Sequence, residues 1–376
     1  MKSLALETRM ALREIFTNTG ALSIMVLAVL IYGIFYPQPY LGETIRDMPI
    51  VALDLDNSPT SRQLRARIDA ADTTMIAAQA PDMATARQML MAREVTAIVV
   101  IPAGFERDLL AGRQAPIAAY GDASYFLPFN ATMTAISTAA RGLGAEITIG
   151  RMAASGTNKN TAIAQSQPLA ISAVALFNPQ GGYASYVVPA SVILILQQTL
   201  LMGIGLLNGG AGKLSGRSDP GTALVARLVA YSGLYLVWFC FYLLLLPAFF
   251  GLPRIGDLVP LFALGLPFLI SVAMLGFTIA SLMPSREAVI LTMVTIGMPL
   301  FFLSGIAWPL EMLPGWLVTL AQFVPSTTAI PGLVQVNQMG AGWEDIADKA
   351  ALLWGLAALY GVTALALSRR PEKLRT

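Results

Sequence analysis

The chain has 376 residues, of which 56% are apolar and only 12% charged, about half the charged share of a soluble globular protein. A net charge of +2 is too small to recruit nucleic acid, which is excluded as a partner. Cys240 is the single cysteine and there is no histidine, so no intrachain disulfide can form, and zinc and thiol chemistry lack ligands.

Residues 1–17 set Glu7, Arg9, Arg13 and Glu14 against Leu4, Leu6, Leu12, Ile15 and Phe16, the pattern of an amphipathic helix lying in a membrane interface. The alternative is a plain helical extension of the first span. Six uncharged apolar runs follow, at 20–36, 186–207, 228–250, 258–283, 288–308 and 350–368. Wound as helices, runs of about 20 residues match the roughly 30 Å hydrocarbon layer. The first, within a transmembrane segment 18–36, resembles a signal peptide, but Pro37-Gln38-Pro39 stands where a small-residue cleavage site belongs, so it reads as a retained anchor.

The fold class expected is therefore an α-helical polytopic membrane protein of six transmembrane helices, with an α/β domain inserted at 37–185 and a five-helix domain at 186–376. The insert alternates apolar runs (49–55, 73–78, 95–101) with helical patterns (59–70, 82–93), a βαβαβ order. Ser58 is suited to cap the first of these helices, with Pro59 at its first position. A helix at 103–111 and a strand at 116–120 precede a long helical stretch from 127 to 165. Gly142, Gly144, Gly150 and Gly156 interrupt that stretch, each costing about 1 kcal/mol against alanine, which predicts a bent or broken helix.

Placing the N-terminus in the cytoplasm gathers Lys2, Arg9, Arg13, Lys213, Arg217, Arg227, Arg286, Arg369, Arg370, Lys373 and Arg375 on the inner side, and leaves only Arg254 and Lys349 in the short outer loops. Eleven against two follows the positive-inside rule. Both termini are then cytoplasmic and the insert is extracytoplasmic, as in a multi-pass protein of a bacterial inner membrane.

The motifs that resemble chemistry are weak. The stretch 206–215 has the glycines and the lysine of a phosphate loop, but Leu207 and Leu214 occupy positions that need Gly and Ser or Thr. Asp54, Asp56 and Asn57 begin like a calcium loop, yet Pro59 stands at its glycine; a strand end and helix cap is favoured. Asn130-Ala131-Thr132 fits a glycosylation pattern by chance as readily as by design. No ionisable side chain lies inside the six runs, which removes the usual machinery of ion-coupled transport and of a membrane-embedded enzyme. No catalytic and no metal-ligating residue is expected.

The spans do carry uncharged polarity. Gln197, Gln198, Thr292, Thr295 and Ser304 are candidates for a substrate pathway, with helix packing as the alternative for each. Loop 208–227 holds Lys213, Arg217, Asp219, Gly221, Thr222 and Arg227, and from Asp219 on it reads as a capped short helix entering the third span. Residues 309–331 contain an apolar piece too short to span, broken by prolines, which predicts a re-entrant hairpin with Trp308, Trp316 and Trp343 at headgroup depth.

The runs LGFTIASLMPSREAV, FFLSGIAWPLEMLPGWL and VPSTTAIPGLVQV between 275 and 336, with VALDLDNSPTSRQL and IPAGFERDL in the insert, resemble the membrane subunits of ABC exporters of the second permease class, in the subgroup with a large outer domain after the first span. That resemblance implies an exporter of hydrophobic or amphipathic molecules. Its partners would be a cytoplasmic ATP-binding subunit that supplies ATP and Mg, a second copy or a sister permease, membrane lipid, and in some systems a periplasmic adaptor. The ATPase would dock on the loop holding Lys213 to Arg227 and on the N-terminal helix. Arg217, Ser218 and Pro220 depart from the family's usual coupling text. The competing reading is a non-transporting receptor or scaffold whose outer domain binds a ligand or a periplasmic protein.

Overall fold

The computed structural model describes residues 2–42, 44–166, 169, 174, 176–179, 181–209, 219–306 and 308–369. The chain divides into two compact units, Thr44–Val174 and a unit built from Met1–Glu43 and Ala175–Thr376. It opens with α1 (Lys2–Thr17) and α2 (Thr19–Tyr40). Asn18 separates them: its backbone is extended and its side chain accepts the Ala21 N–H at 3.0 Å, so α1 is a distinct element and not a continuation of the span.

In the α/β unit the expected alternation appears as β1 (Met48–Asp54), α3 (Pro59–Asp69), β2 (Thr74–Gln79), α4 (Met83–Met91), β3 (Ala97–Ile101), α5 (Phe105–Leu110) and β4 (Ala118–Gly121). Helices α6 (Phe126–Ala154) and α7 (Lys159–Ser166) complete it. The sheet order is β2-β1-β3-β4; β1 is parallel to both neighbours and β4 runs antiparallel to β3. Side chains alternate across the sheet. Ile50, Ala97, Val99 and Ile101 pack with Leu64, Ile68, Phe105, Ile136 and Leu143 on one face, while Val51 and Ile98 pack with Ala80, Ala86 and Val95 on the other.

Ser58 caps α3 by accepting the Ser61 N–H at 3.0 Å. The acidic run before it serves the backbone: Asp54 Oδ1 accepts from the Asp56 and Asn57 N–H groups, and Asp56 accepts from Gly104 N at 2.7 Å and Glu106 N at 3.0 Å, holding the start of α5. The long helical stretch is broken, as expected, but at only one of its four glycines, Gly156, between α6 and α7. Gly142, Gly144 and Gly150 do not break α6, which runs unbroken for 29 residues. They sit in open space or, for Gly142, touch only the Arg67 guanidinium, and burial of Ile136 and Leu143 outweighs their backbone entropy. Gly156, at φ +90°, closes the segment. Thr132 is buried within this helix, so the Asn130 pattern lies in a packed element.

The second unit continues with α8 (Tyr183–Asn208), α9 (Pro220–Phe250), α10 (Leu258–Leu282), α11 (Arg286–Phe302), α12 (Gly315–Ala321), α13 (Pro325–Met339) and α14 (Trp343–Ser368). Among the described residues five helices, α2, α8, α9, α10 and α14, are long and apolar enough to cross a bilayer, and the pair α12–α13, bent by 86°, would make a sixth span if it crosses as one. The run expected at 288–308 is corrected here. Helix α11 stops at Phe302 after 17 residues, roughly 26 Å at 1.5 Å per residue. Pro299 lies in its last turn and Gly305, at φ +81°, reverses the chain. The hairpin expected at 309–331 falls on the bent pair α12–α13, whose second arm reaches Met339. Trp308, Trp316 and Trp343 are exposed. The capped segment at Asp219 is the first turn of one helix that continues to Phe250, not a separate short helix.

Helix α8 is the hub and packs on α2, α9, α10, α11 and α13. Glycines set how close two neighbours come: a Cβ on Gly203 would stand 2.3 Å from Met25 Cγ, and one on Gly205 2.2 Å from a Val289 methyl. Helices α2 and α9 each contain a π-turn, at Ser23–Ala28 and Phe241–Leu245. Donors on α9 serve the widened stretch of α2, Trp238 Nε1 to the Met25 carbonyl at 2.9 Å and Tyr242 Oη to the Val29 carbonyl at 2.6 Å.

Hydrogen bonds from the Ser58 side chain and from the Glu106 and Gly104 N–H groups hold the Asp56 carboxyl below its ordinary value of 3.8. The stability this contributes is present above pH 3.8 and lost as pH falls through the lower folded value. Asp56→Ala is expected to destabilise the α/β unit by about 1 kcal/mol at neutral pH and to flatten its acid dependence; hydrogen exchange of β3 and α5 in the full chain, at pH 7 and pH 3, measures both. Tyr242→Phe leaves the Val29 carbonyl without its donor and should lower thermal stability in detergent by about 1 kcal/mol.

Candidate functional site

Two places in the membrane unit collect polar groups. The first lies along α8. Gln197 is fully buried, and its Oε1 accepts the Ser326 N–H at 2.8 Å, one of the first-turn donors of α13 that have no helical partner. Its Nε2, both polar atoms of Gln198 and the Ser326 hydroxyl are buried with no hydrogen-bond partner among the described residues. Successive helix residues diverge by about 100°, so Gln197 meets α13 while Gln198 meets α11, where a Cβ on Gly297 would stand 3.4 Å from Gln198 Nε2. The result is a seam of amides and a hydroxyl without an ionisable group.

The other expected pathway residues divide by position. Ser304 is buried; it donates to the Phe301 carbonyl at 2.6 Å and accepts the Ile306 N–H at 3.4 Å, which fastens the turn after α11. Thr292 returns its hydroxyl to the Ala288 carbonyl and is half-buried, and Thr295 does the same to Leu291 on the exposed face of α11, beside Val294. Gln197, Gln198 and Ser304 therefore stand on the inward side of this region, and Thr295 does not. Ser326 belongs to the seam and was not singled out from the sequence. Pro325 before it, at a helix start, was the available signal.

Above the seam, at the end of the bundle holding the α12–α13 bend, lies a cavity of about 290 Å³ lined by Tyr186, Ala190, Ile306, Glu311, Ile330 and Val334 among others. The Tyr186 hydroxyl donates to the Ile306 carbonyl at 2.8 Å, and the Gln338 amide donates to the Ser185 carbonyl. Pro331, inside α13, removes an N–H and leaves the Thr327 carbonyl without its helical donor.

The second place is at the opposite end of α8. Lys213 and Arg217 lie outside the described residues. Asp219 caps α9, accepting from Gly221 N at 2.8 Å and from the Thr222 hydroxyl at 2.6 Å. The Thr222 hydroxyl first, then the Gly221 and Thr222 N–H groups, hold its carboxyl below the ordinary 3.8. Helix α1 packs along α9, burying Ala11 and Ile15, while Leu6, Met10 and Phe16 are exposed. Arg227 of α9 lines a cavity of about 370 Å³ with Glu7, Arg13 and Glu14 of α1. Asn208, the last residue of α8, bonds the Ile204 carbonyl and the Tyr231 hydroxyl of α9. Asp219, Gly221 and Thr222 thus share one helix start, and Arg227 stands two turns on against α1.

Residues 20–366 match the family model described as ABC-2 family transporter protein. No curated protein matches the chain at a significant level.

Gln197→Ala should strand the Ser326 N–H in a dry site and lower thermal stability by about 1 kcal/mol. Gln198→Ala, which removes unpartnered atoms, should cost less than half of that. Parallel melts of the two purified variants read the difference.

Proposed function

The chain belongs to the ABC-2 family of transporter proteins, and on that premise we propose that it is the permease of an exporter that moves hydrophobic or amphipathic molecules outward. As a member it is a multi-pass permease subunit of an ABC transporter. The energy source is ATP hydrolysis, with Mg, in a separate cytoplasmic subunit; the chain acts as a homodimer or beside a sister permease.

One observation carries the reading of what is moved. The buried polar seam at Gln197, Gln198 and Ser326 has amides and a hydroxyl, partly unpartnered, and no charge. Unpaired amides at bilayer depth are costly unless a guest supplies partners. A molecule with an apolar body and a few hydrogen-bonding groups fits that demand. Such a guest enters beside α8 and α11 and leaves through the cavity at the α12–α13 bend, whose partner groups are again mostly apolar. Thr292 and Thr295 lie on α11 along the same route, and Ser304 holds its turn.

Orientation follows from the basic side chains: both termini and the start of α9 face the cytoplasm, and the α/β unit faces outward, where a periplasmic adaptor would meet it. The ATPase docks where Asp219, Gly221 and Thr222 begin α9, with Lys213 and Arg217 in the segment before it. Arg227 joins that helix to α1, so a push on the cap moves both helices together. The capped, basic helix start and its packing on α1 support this assignment.

The test is reconstitution of the full chain with its ATPase subunit in liposomes. Asp219→Ala and Arg227→Ala are each expected to lower substrate-stimulated ATP hydrolysis about tenfold, the loss of 1–2 kcal/mol of coupling, with the uncoupled rate of the ATPase unchanged. Full coupling in both variants removes the docking assignment. Failure of an ATPase subunit to copurify with the chain removes the transport reading.

A further inference from the structure

The turn between α9 and α10 carries a cation that the protein itself does not satisfy. Arg254 is half-buried, and its Nε and Nη2 are enclosed without a hydrogen-bond partner among the described residues. No described carboxylate forms an ion pair with it. The acidic groups of the adjoining helices are placed otherwise: Asp257, at the start of α10, is exposed, Asp345 accepts the Gly342 N–H at 2.9 Å, and Asp348 pairs with Lys349 at 3.7 Å. The end of α13 does not satisfy Arg254 either. The turn lies against that end, since the Ile255 and Gly256 N–H groups both bond the Asn337 carbonyl, at 2.9 and 3.2 Å, and a Cβ on Gly256 would stand 2.0 Å from the Val336 carbonyl oxygen. The last carbonyls of α13 already have backbone donors, Gly340 N–H for Val336 and Ala341 N–H for Gln335. A guanidinium enclosed in this way is costly unless an anion from outside the chain joins it.

The surfaces beside the turn select among anions. Phe249 before Arg254, and Ile255, Leu258 and Val259 after it, are exposed. Leu245, Phe249 and Phe250 also form one wall of an apolar groove of about 760 Å³, whose other wall includes Leu30 and Ile34 of α2. A soluble phosphate or carboxylate gains nothing from such surfaces, whereas an anion that carries hydrocarbon gains from the charge and the apolar side chains together. The planar fork of a guanidinium matches two phosphate oxygens, and the end of a membrane span lies at the depth of lipid headgroups. We infer that Arg254 holds the phosphate of a phospholipid headgroup, with the acyl chains laid against the exposed apolar side chains at the end of α9 and the start of α10. This site is separate from the seam at Gln197, and it requires only that the chain spans a membrane, not that it transports.

The experiment uses the full chain purified in detergent and reads bound lipid by native mass spectrometry. The probes are phosphatidylglycerol, diacylglycerol with the same acyl chains, and inorganic phosphate as a competitor. The wild type should bind phosphatidylglycerol saturably, and millimolar phosphate should not displace it. Arg254→Gln should weaken phosphatidylglycerol about tenfold, the loss of a charge-assisted bidentate contact, and leave diacylglycerol within about twofold. Arg254→Lys, which keeps the charge but not the fork, should fall between wild type and Arg254→Gln. Lys349→Gln, at a basic group that is already paired, should leave phosphatidylglycerol binding as it was. Because Arg254→Gln removes an unsatisfied charge, its melting temperature without lipid should be no lower than that of the wild type. Equal phosphatidylglycerol affinity in wild type and Arg254→Gln overturns the inference, as does an equal loss in Lys349→Gln. Full displacement by inorganic phosphate would assign the site to a soluble anion and overturn it too, and a lower lipid-free melting temperature for Arg254→Gln would show a partner within the protein and do the same.

Discussion

Hydrocarbon supplies no hydrogen-bond partners, so every polar group carried into the bilayer has to find one inside the protein. The membrane unit is organised by that constraint. The π-turn of α2 is tolerated because Trp238 and Tyr242 of α9 donate to its carbonyls. The bend between α12 and α13 exposes the first-turn donors of α13, and Gln197 of α8 takes one of them. Asn337 donates to the Leu243 carbonyl inside the second π-turn, and Thr278 donates to the Tyr360 carbonyl across α10 and α14. These irregularities are thus tied to side chains on other helices, which helps turn a set of spans into one packed body.

Close approach makes those bonds reachable. Leucine offers no advantage over lipid in driving two helices together, so small residues decide where backbones meet. Gly203 admits Met25 and Gly205 admits Val289 on different sides of α8. The same residue type behaves differently in the α/β unit, where Gly142, Gly144 and Gly150 lie on the open face of α6 and neither admit a neighbour nor end the helix. Environment, not identity, sets the consequence.

The placement of charge divides the working parts. Carboxylates and guanidinium groups gather where α1 meets the start of α9, the end suited to a soluble partner. Along the middle of α8 polarity persists without charge. At the far end lies the cavity at the α12–α13 bend, with a wall that is mostly aliphatic. A single helix, α8, touches all three regions through Asn208, Gln197 and Tyr186, which makes it the element that a movement at one end would displace at the other.

Much of this was written in local pattern. Apolar runs longer than the bilayer is thick require helices whatever their neighbours, which is why five of the expected spans appear within a few residues at most ends, and why Ser58, Pro59 and Asp219 mark helix starts. Short apolar runs alternating with helical patterns in the insert likewise mark strands. What local pattern does not contain is the free energy of packing at a distance. It placed the fifth span through to 308, whereas the reversal at Gly305 and the bond of Thr327 to the Leu303 carbonyl depend on the returning α13. Adjacent Gln197 and Gln198 were conspicuous in the sequence, but their division between α13 and α11, and the partnership with Ser326 across 129 positions, arise only when three helices converge. The cavity at the α12–α13 bend is likewise invisible in any one segment, since its lining is drawn from α8, the turn after α11 and α13, which meet only when the chain packs.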